Sequence, residues 1–441
     1  NRTLLYCSAA AAMLCYAQML GSRILILFCL GVFMLLTGIA CNRNFELPVL
    51  LFFLPWSTLL RLTPDSISCF TLALLMAGFI KLIKNGFILK NYYICIALML
   101  AVITQLSKII SGYRLINSYI MFLAMLVLFP SFDLKNRSYN FYQLTIFFSA
   151  GIVLAALTAE RFAEYSNIAR YIKVDSYLNI TRRCGYYGDP NFYSAQITAA
   201  LAGCLLLTAG DRERVSVPIL LIMSGLLVYC GFLSGSKSFM LIAILLLLLW
   251  GIKVLVSHGK ITKKVALFIS CGIFVAYIGS SALFSDKIDV ILTRFSMVDD
   301  VSSFTTGRTD LWKLYIMKIL STPKLLLLGQ GFTPVIIQPK ASHNTIIQLV
   351  YQLGIFGALL FIAWMWGLGK EILSPMHLRQ AGPLRVLILS AGAFVPWLAL
   401  DIMFFDELFL IPAFVFIGIK ELCFEHKQIN LCEKAELYGD F

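Results

Sequence analysis

The sequence predicts an all-α, polytopic integral membrane protein, and three observations carry that prediction. Of 441 residues, 60% are apolar, while Asp, Glu, Lys and Arg together supply only 13%, about half the share usual in soluble domains. Mean hydropathy is +0.85. Apolar runs of about 20 residues recur from end to end, and each is long enough as a helix to cross roughly 30 Å of hydrocarbon. A soluble globular domain, a disordered chain, a coiled coil and a collagen are excluded together.

Taken in order, the runs at 4–20 and 22–40 are divided by the short Gly21–Arg23 loop, and the first can itself direct the chain to the membrane without a cleavable leader. The start at Asn1 suggests residues missing ahead of it. After Arg43 comes a short run, 48–60, in which Pro55 removes a backbone N–H and predicts a tilted or broken helix. The runs 66–84 and 92–107 flank Lys81, Lys84 and Lys90, and 115–131 and 141–160 flank Lys135 and Arg137. Arg212 and Arg214 separate 190–209 from 216–233, and the cluster Lys253 to Lys264 separates 237–256 from 264–284. The last three runs are 344–367, 384–402 and 409–423. The expectation is twelve to fourteen transmembrane helices.

Charge sets the expected orientation. With both termini cytoplasmic, inside loops hold 19 of the 36 Lys and Arg. Of the other 17, 12 fall in two long segments, 161–189 and 285–343, which translocate with less regard for charge, so short loops divide 19 to 5. The basic residues form no stripe and no nucleic-acid signature, so no nucleic-acid partner is expected despite a net charge of +13. Cys7, Cys15, Cys29, Cys69, Cys95, Cys204, Cys230 and Cys271 lie within apolar runs, where Cys acts as a small hydrophobe.

No repeat and no Gly/Ser or Pro-rich linker divides the chain. The expected organisation is an N-terminal helix array (1–160), a first external excursion (161–189), central helices (190–284), a large external loop (285–343), and C-terminal helices with a cytoplasmic tail (344–441). Function is expected in the two excursions. Within the larger one, Leu311, Trp312, Tyr315, Ile316, Ile319 and Leu320 share one helical face, which predicts an interfacial helix. Pro323 stops it, and Gly329 and Gly331 allow a turn back toward the membrane.

Of four histidines, His258, His377 and His426 fall on the cytoplasmic side of this topology and only His343 faces out. It stands at the start of a membrane helix, where unpaired N–H groups disfavour a protonated ring, and a neutral imidazole can accept a proton from a sugar hydroxyl. Arg182 and Arg183 precede two glycines and then Asp189, Pro190 and Asn191 at a helix start; two guanidiniums beside a flexible turn suit a phosphate. Lys237 and Arg308 add cations at outer membrane edges. The first external loop has no carboxylate, and Asp286, Asp289, Asp299 and Asp300 read as solvated loop charges, so neither a metal nor another cofactor is expected.

The ordered set RRCGYYGDPNFYSA, LSGSKS, GRTDLW, LGQGF and SHNTIIQLVYQLGIFG, over about residues 180–367, resembles the O-antigen ligase and O-antigen polymerase superfamily. Where that family often has Ser-Arg, this chain has Ser236-Lys237, which keeps the charge and loses the bidentate fork. The resemblance implies a glycosyltransferase fold of the C type and a metal-independent, inverting enzyme at the outer face of the bacterial plasma membrane. Its donor would be an undecaprenyl-pyrophosphate-linked oligosaccharide. Arg182 or Arg183, with Arg308, would contact the pyrophosphate, His343 would act on the acceptor hydroxyl, and Asn191, Lys237 and Asn344 would line the substrate. The expected reaction polymerises lipid-linked repeat units into O-antigen or capsular-type polysaccharide, beside a flippase and a chain-length regulator. One alternative is a ligase passing the glycan to a lipid A core or other surface acceptor; another is a lipid-linked glycan transporter, against which the near-absence of mid-span charge counts.

Overall fold

The computed structural model describes residues 2–63, 66–112, 118–135, 139–169, 171–172, 175–177, 180–209, 216–258, 296, 307–332, 341–375, 378, 382–401 and 405–421. The expected run 264–284, the four loop aspartates from Asp286 to Asp300, His377 and His426 lie outside these residues. Each of the other expected runs overlaps helix within its described residues.

In chain order the helices are α1 (Arg2–Leu20), α2 (Arg23–Asn42), α3 (Glu46–Phe53), α4 (Cys69–Lys84), α5 (Asn91–Ser111), α6 (Ser118–Leu128), α7 (Phe141–Phe162), the one-turn α8 (Ser166–Ala169), α9 (Pro190–Thr208), α10 (Val217–Ser234) and α11 (Lys237–His258). They continue with α12 (Arg308–Ser321), α13 (Pro323–Leu328), α14 (Thr345–Ile372), α15 (Pro383–Leu389), α16 (Val395–Leu398) and α17 (407–421). A small antiparallel hairpin, β1 (Asp175–Tyr177) and β2 (Ile180–Arg182), leads into α9. Among the described residues α1, α2, α5, α7, α10, α11 and α14 are long and apolar enough to cross a membrane. The chain is therefore an all-α, multi-pass membrane protein in architecture, with one short hairpin.

Two expected spans break where proline intervenes. Pro55 ends α3 in a 3₁₀ turn, Leu54–Trp56, as the sequence predicts. The run 384–402 is less regular than expected: α15 passes into a π turn, Ser390–Phe394, before α16, because Pro396 has no N–H to offer the preceding turn. At that turn Gly392 crosses α9 closely, and a Cβ there would meet Ala202 Cβ at 2.5 Å and Thr198 O at 2.8 Å.

α9 is the axis of this assembly. It is buried along nearly its whole length and packs against α7, α10, α11, α15 and the π turn. Enclosure by protein on all sides is why it can carry Ser194, Gln196 and Thr198 inward. Asp189 caps it, accepting from the N–H groups of Asn191 at 2.7 Å and Phe192 at 3.4 Å, and Pro190 occupies the first turn.

One end of the bundle is held by polar contacts among connectors. Lys81 Nζ lies 2.8 Å from Glu46 Oε1, both buried, and Tyr139 donates to the same carboxylate and to Phe132 O. Asn85 donates to Ser131 O, Lys420 to Leu134 O, and Phe141 N to Glu421. Removing one partner of a buried pair of this kind costs about 3–5 kcal/mol, because the other charge is stranded.

At the opposite end α14 is interrupted. Gly354 adopts φ 65°, ψ −179°, which withdraws the local N–H groups from the helical ladder. The turn after α13 supplies replacements: Gln330 N donates to Tyr351 O and Gly331 N to Gln352 O, both at 2.8 Å. The approach requires glycine on both sides, since a Cβ on Gly354 would lie 2.2 Å from Leu327 O and one on Gly329 2.4 Å from Gln352 O. Gly354→Ala is expected to destabilise the protein by about 1–3 kcal/mol, seen as a lower thermal midpoint in detergent. Gly225→Ala, where nothing lies within 4 Å, is expected to leave the midpoint unchanged or slightly higher.

Candidate functional site

The end of the bundle with the broken helix gathers the interruptions: the loop 183–189, the turn at Gly235, the segment 341–344, and the connectors after α3 and α16. Each interruption is tied by a buried side chain, and several of those are the residues singled out from the sequence.

Arg182 closes β2 and is buried. Its Nε donates to Ser234 O at 3.1 Å and Nη2 to Asn191 Oδ1 at 3.3 Å. Gly235, at φ 57°, ends α10 beside it in a left-handed turn that favours glycine. Asn191 Oδ1 also accepts from Ser236 Oγ at 3.4 Å, and Ser236 lies within 3.3 Å of Ser194 Oγ and 2.8 Å of Ser238 Oγ. The starts of α9 and α11 thus meet beside one buried guanidinium, with hydroxyl and amide groups between them. Lys237, half-buried, is the first residue of α11.

Arg183 points elsewhere. Its Nη2 lies 3.7 Å from Glu160 Oε1, both side chains being about one-third exposed, and its N–H donates to Leu233 O. A pair that exposed contributes under about 1 kcal/mol. Of the two arginines between which the sequence could not choose, the structure sets Arg182 among the converging groups and Arg183 at the rim.

Arg308 begins α12, after Gly307 at φ 78°. Its Nη1 donates to Ala399 O at 3.1 Å. Burial lowers its pKa from the usual value; Asp189 and Asp401 act in the opposite sense, and Arg182 adds to the lowering. The side chain stays cationic, and the charges it feels place it in one electrostatic neighbourhood with Arg182, Asp189 and Asp401. α12 itself divides the apolar face expected at the membrane surface. Leu311, Tyr315 and Ile319 turn inward against Leu325 and Tyr351, whereas Ile316 and Leu320 remain exposed. Trp312 Nε1 donates to Ser342 O at 2.9 Å.

His343 precedes α14 at φ 50°, a left-handed conformation that a bulky residue adopts only when its surroundings impose it. The buried carboxylate of Asp401 imposes it. Oδ2 accepts from His343 N at 2.7 Å and lies 3.2 Å from His343 Nδ1; Oδ1 accepts from Ser342 Oγ at 2.6 Å and Asn344 N at 3.4 Å. The 3.2 Å contact is an approach of Nδ1 to the carboxylate; a proton carried on Nδ1 would leave Nε2 as the proton-accepting nitrogen. Asn344 is the N-cap, its Oδ1 accepting from Ile346 N at 3.0 Å and Ile347 N at 3.1 Å, so that oxygen is committed to the helix rather than to a ligand. Thr345 Oγ1 donates to Trp397 O at 2.8 Å and also to Leu400 O, closing the same knot.

Sequence reasoning missed Asp401. Its signal was a lone acid inside the apolar run VPWLALDIMFF, and it was absorbed into the expected span 384–402. It also missed Asp406, which accepts from Thr71 Oγ1 at 3.0 Å, while Gln196 Nε2 donates to the buried Glu407 at 2.7 Å. Neither a protein-family model nor a curated protein matches the chain.

Burial pushes the Asp406 carboxyl up to about 6 from its ordinary 3.8, against the opposing effects of Thr71 and Arg61. A raised carboxyl pKa makes the ionised form the costly one in the folded state, so stability falls as pH rises from about 4 to about 6 and levels off above. Asp406→Asn is expected to lessen that slope, with Glu407 left in place, measured as the thermal midpoint of wild type and variant across this pH range.

Proposed function

We propose that the chain is a membrane glycosyltransferase that polymerises polyprenyl-pyrophosphate-linked oligosaccharide units at the outer face of a bacterial plasma membrane. The observation that carries the reading is the meeting, at one end of the bundle, of the buried Arg182 and the half-buried Arg308 with a histidine whose main-chain N–H is bound by a buried carboxylate and whose Nδ1 lies 3.2 Å from it. Cations suit a pyrophosphate leaving group, and an oriented imidazole suits a hydroxyl nucleophile.

In the proposed reaction the acceptor hydroxyl gives its proton to His343 Nε2 as its oxygen attacks the donor sugar's anomeric carbon. The carbon–oxygen bond to pyrophosphate breaks with inversion. Arg182 and Arg308 carry the charge that develops on the departing phosphate, and Asn191 and Ser236 hold Arg182 in place. Asp401 is a positioning residue: it fixes the tautomer and plane of His343 and stabilises the imidazolium formed. The broken helix fits the reading, because irregular backbone at membrane depth is tolerated where it lines a cavity or is buried in protein. The proposed fold is of the glycosyltransferase C type with twelve to fourteen spans, and both termini are cytoplasmic. In that orientation the Lys81–Glu46 end faces the cytoplasm and the arginine–histidine end faces out.

Orientation has a direct test. Lys313→Cys, on the exposed side of α12, should react with a membrane-impermeant thiol reagent in intact cells, and Lys135→Cys should react only after permeabilisation; the reverse pattern would invert the assignment.

The chemistry is tested with purified protein and a lipid-pyrophosphate oligosaccharide. His343→Ala should lower turnover about a hundredfold or more with little change in donor KM. Asp401→Asn should lower it about tenfold or more and shift the acidic limb of the pH–rate profile. Arg308→Lys should recover only part of what Arg308→Ala loses, since the planar fork is gone. Near-native turnover in a folded His343→Ala protein would remove the base from the mechanism. Products lengthened by repeat units support polymerisation; transfer only to a different surface acceptor would make the enzyme a ligase.

A further inference from the structure

A cavity of about 250 Å³ lies at the end of the bundle opposite the arginine–histidine site. It opens where the α4–α5 connector, the end of α6 and the last turn of α14 meet. Its floor is apolar, formed by Val127, Leu134, Leu368 and Ile372, and its polar lining carries both signs of charge: Lys90 and Lys135, Asp133 and Glu371. Lys90 is paired with Glu371. Asp133 and Lys135, both exposed, have no ion-pair partner among the described residues. Asp133 is held at φ 47°, just after the 3₁₀ turn Phe129–Phe132, and Asn85 fastens that turn through Ser131 O at 2.9 Å.

The surroundings place this cavity at headgroup depth. The exposed Tyr92 donates to Ala363 O, and Lys370 lies 5.9 Å from the ring centre of the exposed Trp366, aromatic and cationic groups of the kind found where hydrocarbon meets water. Beside the opening Ile88 is 72% exposed and Phe87 60%, an apolar surface that lipid chains can cover. The volume is below the roughly 300–1,000 Å³ of pockets for drug-sized ligands, so the cavity suits a small polar group. Two cations and two carboxylates in one lining favour a ligand that also bears both signs, since a simple anion would meet Asp133 and Glu371 and a simple cation would meet the lysines.

We propose that this cavity binds the headgroup of phosphatidylethanolamine, the phosphate facing Lys90 and Lys135 and the primary ammonium facing Asp133 and Glu371, with the acyl chains running over Ile88 and Phe87. A primary ammonium donates hydrogen bonds to carboxylates; the quaternary ammonium of phosphatidylcholine cannot.

The experiment uses the full-length chain purified in detergent, with native mass spectrometry and thermal unfolding read after adding dioleoyl phosphatidylethanolamine, phosphatidylcholine or phosphatidylglycerol. Phosphatidylethanolamine is expected to be retained and to raise the midpoint most. The exposed pair of substitutions Asp133→Asn and Lys135→Gln should weaken its retention about tenfold or more and bring it level with phosphatidylcholine, while the midpoint without added lipid stays as in wild type. Equal retention of all three lipids, or preference for phosphatidylglycerol, would overturn the proposal. Displacement of bound lipid by millimolar free phosphoethanolamine would overturn the commitment to a lipid and point to a soluble ligand.

Discussion

Inside a membrane every main-chain N–H and C=O must find its partner within the protein, and the architecture of this chain follows from how it meets that demand. Regular helix meets it for most of the length. Wherever the helix stops, a substitute has to be built, and the substitutes are specific. Gln330 and Gly331 supply N–H groups to the carbonyls that Gly354 frees. Arg182 satisfies Ser234 O after Gly235 ends α10. Asp401 collects the N–H groups of His343 and Asn344 where α14 has yet to begin. The same substitution that makes an irregular backbone tolerable leaves a charged side chain in place, so the breaks in the helices and the chemistry-bearing residues coincide.

That coincidence explains the form of the candidate site. A guanidinium or carboxylate buried here is held by main-chain partners and by neighbouring polar side chains, Asn191 and Ser236 around Arg182 and Ser342 around Asp401. Under the proposed function such groups would be oriented before a substrate arrives, which is the condition under which fixed charges stabilise developing charge best. Arg183, with only an exposed partner in Glu160, lacks this preparation.

The helical runs were legible from hydropathy because the length and polarity of a span are dictated by the bilayer, independent of what the span touches. The helix start at Asp189, Pro190 and Asn191, the stop at Pro323 and the turn at Gly329 and Gly331 were local signals and were equally readable. What could not be read was pairing across long separations. Asp401 and His343 are 58 positions apart, and the acid lay within the last two residues of an expected span. The π turn before Pro396 and the interruption at Gly354 were hidden for the same reason: in both, helical composition yields to a close approach by a distant segment, α9 in one case and the turn after α13 in the other. Asn344 shows the converse, a polar residue that looked available to a ligand and is taken up by its own helix.

The interruption of α14 has one more consequence. The stretch before Gly354 is fastened to the turn at 329–331 by two main-chain hydrogen bonds, to α12 by the Tyr315–Tyr351 ring contact at 5.0 Å, and, through Ser342, to Trp312. Arg308 and His343 therefore belong to one mechanical block, although 34 residues lie between them in sequence and most of α14 belongs to another. Their spacing is set inside that block, by short covalent and hydrogen-bonded paths, and not by the long helices below. Breathing of the bundle, or a change of bilayer thickness, would carry the cation and the imidazole together without altering the gap between them.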